Sequence, residues 1–217
     1  MTDAVRGTNL SFDYGDGESI LADVSVCVPS GGSLAIVGSS GCGKSTLLYL
    51  LSGLLRPTTG SVSLFGEPLP PGPNERADVR LRRCGFVFQN GELLPELTLL
   101  ENVALPLRLA GEQAVVANDK ACEALDRFGI LELSGRRPEH VSGGQAQRAA
   151  IARALVHDPQ IVFADEPTAS LGRDHRSVVV SALANLSSRG CALLVATHDA
   201  ELAAECESRL ALPSRYD

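Results

Sequence analysis

Residues 33–51 read SLAIVGSSGCGKSTLLYLL, and the order of the parts decides the fold. SLAIV is a short apolar run of the kind that forms a strand buried on both faces. GSSGCGKS then fits G-x-x-x-x-G-K-[ST] at Gly38, Gly43, Lys44 and Ser45. Leu47, Leu48, Leu50, Leu51 and, just beyond, Leu54 recur on a helical period. Glycines let such a loop curl until its backbone N–H groups converge on phosphate oxygens. Lys44 is then expected to reach the β- and γ-phosphates and Ser45 to ligate Mg²⁺. The whole loop, Gly38, Ser39, Ser40, Gly41, Cys42, Gly43, Lys44, Ser45 and Thr46, forms the candidate nucleotide contacts. Within it Cys42 lies at a helix start beside Lys44. That marks it as the thiol through which an alkylating reagent would inhibit, with bound nucleotide as its shield.

Strand and helix signals alternate on either side. The first 37 residues read as strands, with Val24, Val26 and Val28 alternating in ILADVSVCV (20–28). GSVSLFGEP (60–68) reads as a hairpin strand and turn, 66–75 as a Pro- and Gly-rich loop, and CGFVFQ (84–89) as a buried strand. From Leu97 to about Leu155 the strand signal vanishes, which indicates a helical insert with a helix near 112–128. Strands return at QIVFAD (160–165) and CALLVAT (191–197), interleaved with helical stretches 174–188 and 199–206. Alternation of this kind implies a mainly parallel sheet covered by helices.

In a parallel sheet the C-terminal strand ends share one edge, so the residues there can meet. Asp165 and Glu166 end QIVFAD; Asp165 is the expected Mg²⁺ ligand, through water, and Glu166 the carboxylate that polarises an attacking water. His198 follows CALLVAT, placed to touch a γ-phosphate. Gln89 ends CGFVFQ, where its amide can report on Mg²⁺ or on the water.

A second helix start, VSGGQAQRAAIARAL (141–155), has the makings of another anion site, with Ser142, Gly143, Gly144 and Gln145 at its mouth. One phosphate loop saturates the donors that one triphosphate needs. The second start therefore serves a nucleotide held by another copy of the chain, in a two-fold, head-to-tail pair.

Composition narrows the class. The formal net charge of −7 argues against a nucleic-acid partner. Six cysteines without a C-x-x-C pair read as reduced thiols rather than a disulfide frame or a zinc site. No apolar run approaches 18 residues, and Met1 is not followed by a basic leader, so neither a membrane span nor a signal peptide is expected.

The phosphate loop, Gln89, SGGQ, Asp165–Glu166 and His198, in this order and spacing, resemble the ATPase subunit of an ATP-binding cassette (ABC) transporter across nearly the whole chain. The resemblance implies an α/β P-loop NTPase fold with an N-terminal antiparallel β subdomain. It implies a single ATPase domain: residues 1–96 and 156–217 form the catalytic core and 97–155 the helical subdomain. It implies ATP and Mg²⁺ as cofactors and ATP hydrolysis as the reaction. Partners would be a second ATPase subunit, identical or not, and an integral-membrane permease, with the chain peripheral at the cytoplasmic face. It also gives Tyr14, in SFDYGDG, the role of stacking on adenine. GFVFQNGELLPELTLLENVALPLRLAG (85–111) resembles the lipoprotein-releasing and macrolide-export branch, which implies export or membrane extraction. The groove for the permease is expected near Asn90–Leu97. Within the same fold a non-transport ATPase that signals through, or mechanically drives, a membrane partner stays open. Two positions depart from the family pattern: Val141 stands where Leu is usual, and Gly172 where an aspartate normally couples the two sites. Asp174, two residues on, is the nearest acidic stand-in.

Overall fold

The computed structural model describes residues 2–15, 19–89 and 91–213, with the side chains of all but Arg173 and Asp174. Strands β1 (Asp3–Asp13), β2 (Ser19–Pro29), β4 (Thr59–Leu64) and β5 (Glu67–Pro68) form an antiparallel sheet in the order β2-β1-β4-β5. Strands β3 (Ser33–Val37), β6 (Cys84–Val87), β7 (Ile161–Asp165), β8 (Ala192–Ala196) and β9 (Ser208–Ala211) form a parallel sheet in the order β6-β7-β8-β3-β9. The α/β class with a parallel sheet and an N-terminal antiparallel part is as the sequence implies.

Every residue of β7 and β8 is buried, and their side chains alternate between two cores. Ile161, Phe163, Ala192 and Leu194 face one core, completed by α1 (Lys44–Leu51) and the antiparallel sheet. Leu47, Leu48, Leu50 and Leu51 of α1 are at most 2% exposed, each contributing about 2 kcal/mol by leaving water. Because α1 is wedged between the two sheets, the loop at its N-terminus is fixed in place. Val162, Ala164, Leu193 and Val195 face the other core. It is filled by α3 (Leu99–Leu109), α4 (Ala114–Arg127), α5 (Gly143–Leu155), α6 (Arg173–Ala184) and α7 (Ala200–Ala204).

The structure departs from the sequence reading in three places. Residues 73–75, read as loop, begin α2 (Pro73–Arg83). This helix buries no residue, so it has no apolar stripe to reveal it. Pro73 at its start, Glu75 in its first turn and Arg80, Arg82 and Arg83 in its last are its only signals. Gln89 does not end a strand, for β6 stops at Val87. The Phe88 carbonyl leaves the ladder to accept from Gly91 N–H at 2.9 Å, closing a turn, and from Gln147 Nε2 at 3.3 Å. The last helices are also shorter than expected: α6 ends at Ala184, before a 3₁₀ turn at Ser187–Arg189, and α7 spans five residues.

Candidate functional site

The loop from Gly38 to Ser45 connects β3 to α1 at the C-terminal edge of the parallel sheet. Gly43, the residue before the helix, has φ +98°, and no side chain caps its N-terminus. Side chains rarely adopt that backbone, so glycine is required there. Lys44 Nζ donates to the Gly38 and Ser39 carbonyls, each at 3.0 Å, which folds the ammonium back over the loop. Cys42 corrects the sequence reading. Its side chain is 3% exposed and packs into the core beneath the loop, beside Gly38, so a reagent in solvent has no direct path to it. Tyr14 lies at the mouth of the loop. Its ring is exposed, stacks edge-on against Phe12 at 4.8 Å, and its hydroxyl is 3.2 Å from Thr46 Oγ1. Asp16 and Gly17, which follow in SFDYGDG, lie outside the described residues.

Asp165 closes β7, two strands from β3, and is 2% exposed. Tyr49 donates to its Oδ2 at 3.0 Å, while Oδ1 is buried without a hydrogen-bond partner. Burial pushes the Asp165 carboxyl above the usual range; the nearby Ser45 hydroxyl and the Tyr49 bond pull it down, and the charge of Glu166 adds to the rise. An unpaired buried carboxylate oxygen beside a serine hydroxyl is a hard-oxygen donor set, which fits a small divalent cation such as Mg²⁺. When bound, the ion supplies positive charge against the β- and γ-phosphates.

Glu166 sits at φ +45°, a backbone that costs a non-glycine residue about 1 kcal/mol or more. The surroundings hold it there. Its N–H donates to the Ala196 carbonyl at 2.8 Å, and its Oε2 accepts from Thr197 Oγ1 and His198 N–H, both at 3.3 Å. His198 Nδ1 lies 2.8 Å from the same oxygen, with the imidazole largely exposed. The strained glutamate and the histidine thus meet at the sheet edge, although 32 residues separate them. Behind them Asp199 caps α7, accepts from Thr168 Oγ1 at 2.7 Å and pairs with Arg176 of α6. Burial raises the Asp199 carboxyl, but the bonds from Arg176, Thr168 and the Leu202 amide outweigh it and the net shift is downward.

At the start of α5, Ser142 Oγ accepts from Gln145 N–H at 3.3 Å and Gln145 Oε1 accepts from Ser142 N–H at 2.8 Å, a closed capping box. Ser142 and Gly143 face solvent. Gly144 is close to the segment after Glu166: a methyl group on it would lie 3.3 Å from the Ser170 carbonyl. The body of α5 grips the stretch after β6. Gln147 reaches the Phe88 carbonyl, and Arg153 donates to the Gly91 and Glu92 carbonyls, each at 2.8 Å. Asn102 of α3 then brackets Leu94 through both its N–H and its carbonyl. Gln89 itself is exposed, and Asn90 lies outside the described residues.

The structure therefore brings the loop 38–46, Asp165, Glu166 and His198 to one edge, with Tyr14 beside them. The SGGQ start lies beside Ser170 and Leu171, with Ser142 and Gly143 exposed to solvent. The sequence reading missed Tyr49, Thr197, Arg176, Gln147 and Arg153, whose partners are distant in the chain. Only Asp199, directly before a short helix, carried a local capping signal.

Residues 21–169 match the family model described as ABC transporter. The chain is 33% identical to the ATP-binding cassette MJ0796, solved as a dimer in a post-hydrolysis state bound to ADP and Pi. That match covers 96% of this chain and 94% of the other, with a TM-score of 0.91. A second dimeric structure of the same bacterial ABC transporter cassette gives 0.92. The third similarity is to cbiO1 of Clostridium perfringens, part of the ABC transporter complex cbiONQ. It is 26% identical over 98% of this chain and 85% of that one, with a TM-score of 0.83.

Proposed function

The chain belongs to the ABC transporter family, and from that premise we propose that it is the ATP-hydrolysing subunit of a transporter, dimerising around two ATP to drive a separate permease at the cytoplasmic face of a membrane. It is an ATPase; the permease, the direction and the site roles are what the proposal adds. The observation that carries it is the clamped Glu166. A carboxylate on a strained backbone, held at Oε2 by Thr197 Oγ1 and by both the N–H and Nδ1 of His198, is preorganised to take a proton from a water attacking the γ-phosphate. In this reading Tyr14 stacks on adenine, the 38–46 loop and Lys44 hold the phosphates, and Ser45 and Asp165 hold Mg²⁺. Gln89 senses the ion and the water. Ser142, Gly143, Gly144 and Gln145 contact the γ-phosphate bound to the other subunit. The helical subdomain spans 97–155.

The permease docks beside the strapped segment after β6. A cavity of about 290 Å³ lies there, lined by Leu54, Leu81, Phe86, Phe88, Glu92 and Pro106 among others. Leu94 is 43% exposed close by in sequence. Arg153 and Gln147 link that segment to α5, so a push on it reaches the SGGQ start. The 85–111 segment supports export or membrane extraction as the direction. Among the described residues no helix is long and apolar enough to cross a membrane. Photo-crosslinkers placed at Leu94 or Glu96 should capture a co-expressed permease. Capture only from the opposite edge of the sheet, where Cys206 precedes β9, would remove this docking assignment.

A further inference from the structure

Tyr49 lies in the middle of α1, where the leucine period makes it look like one more core residue. Its hydroxyl is instead aimed at the end of β7, 116 residues away in sequence, and donates to Asp165 Oδ2 at 3.0 Å. Asp165 is almost completely buried, and its other oxygen, Oδ1, makes no hydrogen bond. A buried carboxylate with one oxygen tied to Tyr49 and the other left for a ligand, beside the Ser45 hydroxyl, is oriented: rotation of the carboxyl group would break the Tyr49 bond. The phenol is itself held. Its ring packs at 6.3 Å on Phe88, which stacks on Phe86 at 5.8 Å, which stacks on Phe163 of β7 at 5.4 Å. The donor and the strand that carries Asp165 are therefore parts of one aromatic stack, and the hydroxyl cannot drift from the carboxylate without disturbing it.

We propose that Tyr49 is a positioning residue for the metal site: by occupying Asp165 Oδ2 it reserves Oδ1 for the Mg²⁺ that accompanies ATP. The proposal rests on Asp165 being the carboxylate that holds the ion. It separates two things that a purely structural tyrosine would leave linked, the packing of the ring and the action of the hydroxyl. Tyr49→Phe keeps the first and deletes the second.

The readout is binding rather than turnover. Affinity for the non-hydrolysable analogue adenylyl imidodiphosphate is measured by calorimetry with saturating Mg²⁺ and again with EDTA; the ratio is the metal enhancement. Tyr49→Phe should lower that ratio about tenfold, the scale of one hydrogen bond to a charged group, and leave the EDTA affinity as in wild type. Tyr49→Met, which also lacks the hydroxyl, supplies the same reading if the phenylalanine variant does not fold. Asp165→Asn serves as the control for the underlying assignment and should lower the ratio at least as much. An unchanged ratio in the tyrosine variants alongside a lost ratio in Asp165→Asn overturns the role of Tyr49 alone. A full ratio in Asp165→Asn overturns the metal role of Asp165, and this proposal with it.

Discussion

At the start of α1 the residue before the helix is a left-handed glycine with no capping side chain; at the start of α5 it is a serine locked to Gln145 by two hydrogen bonds. Both starts direct backbone N–H groups and the positive end of a helix dipole outward. They differ in who satisfies them. The first, at Gly43, is kept open for a ligand. Lysine, serine and the buried carboxylate Asp165 gather around it, and two sheets clamp its helix. The second, at Ser142, satisfies itself, faces solvent and has no cation of its own in the SGGQ motif. A phosphate already held elsewhere can displace Gln145 from Ser142; a free one has little reason to. The comparison teaches that the two anion sites are not duplicates. In the proposed reading one binds nucleotide by itself, and the other acts when a second subunit presents one.

Substitutions at the two starts should therefore separate cleanly. The largest effect belongs to the catalytic edge beside the first. Glu166→Gln should lower ATP turnover by at least about a hundredfold while leaving ATP affinity near wild type, because it removes the proton acceptor and keeps the shape. A malachite-green phosphate assay beside calorimetric binding measures both. Next comes Lys44→Ala, which should weaken ATP binding about fiftyfold, since the phosphates lose a charge-assisted donor. Equal loss of affinity in Ser142→Ala would break the comparison.

Ser142→Ala should instead cost about 1 kcal/mol of stability in urea, the worth of a lost cap, with ATP affinity of the monomer unchanged. Its functional loss should show only in ATP-driven association. The smallest effect is expected at Gly172. This residue caps α6 at φ −68° and ψ 160°, an ordinary extended backbone, with nothing within 4 Å of where a Cβ would lie. Gly172→Asp should fit without strain and raise stability by about 0.3 kcal/mol through capping. It should also steepen the dependence of turnover on ATP concentration, if an aspartate there couples the two sites as the family resemblance implies. The side chain of Asp174, the nearest stand-in, is outside the described structure.

Strands β3, β7 and β8 were legible in the sequence because they are apolar runs ending at glycine, acid or histidine, and the phosphate loop because its spacing is rigid; β9 was not read, because it is a short edge strand with Ser208, Arg209 and Ala211 exposed. Helix α2 was not, because it buries nothing and signals only by charge. Gln89 was assigned to a strand because the run CGFVF before it is apolar; the Phe88 carbonyl that closes the turn also accepts from Gln147, 59 residues on. Tyr49 was hidden for the same reason: a side chain that bonds across the sheet looks, in its own helix, like packing. Arg176 and Asp199 illustrate the limit once more. Their pairing joins α6 to the segment after His198, and nothing in either local pattern announces it.

The central claim is that one subunit's SGGQ start completes the other subunit's nucleotide site. Glu166→Gln, which should bind ATP without discharging it, tests this in solution by size-exclusion chromatography with light scattering. With Mg-ATP it should elute at twice the 22.8 kDa of the chain, and with ADP or without nucleotide at that mass. Adding Ser142→Ala and Gln145→Ala should return the Mg-ATP sample to monomer with ATP still bound. A Glu166→Gln protein that binds Mg-ATP and stays at 22.8 kDa, at concentrations well above its ATP dissociation constant, would contradict the claim.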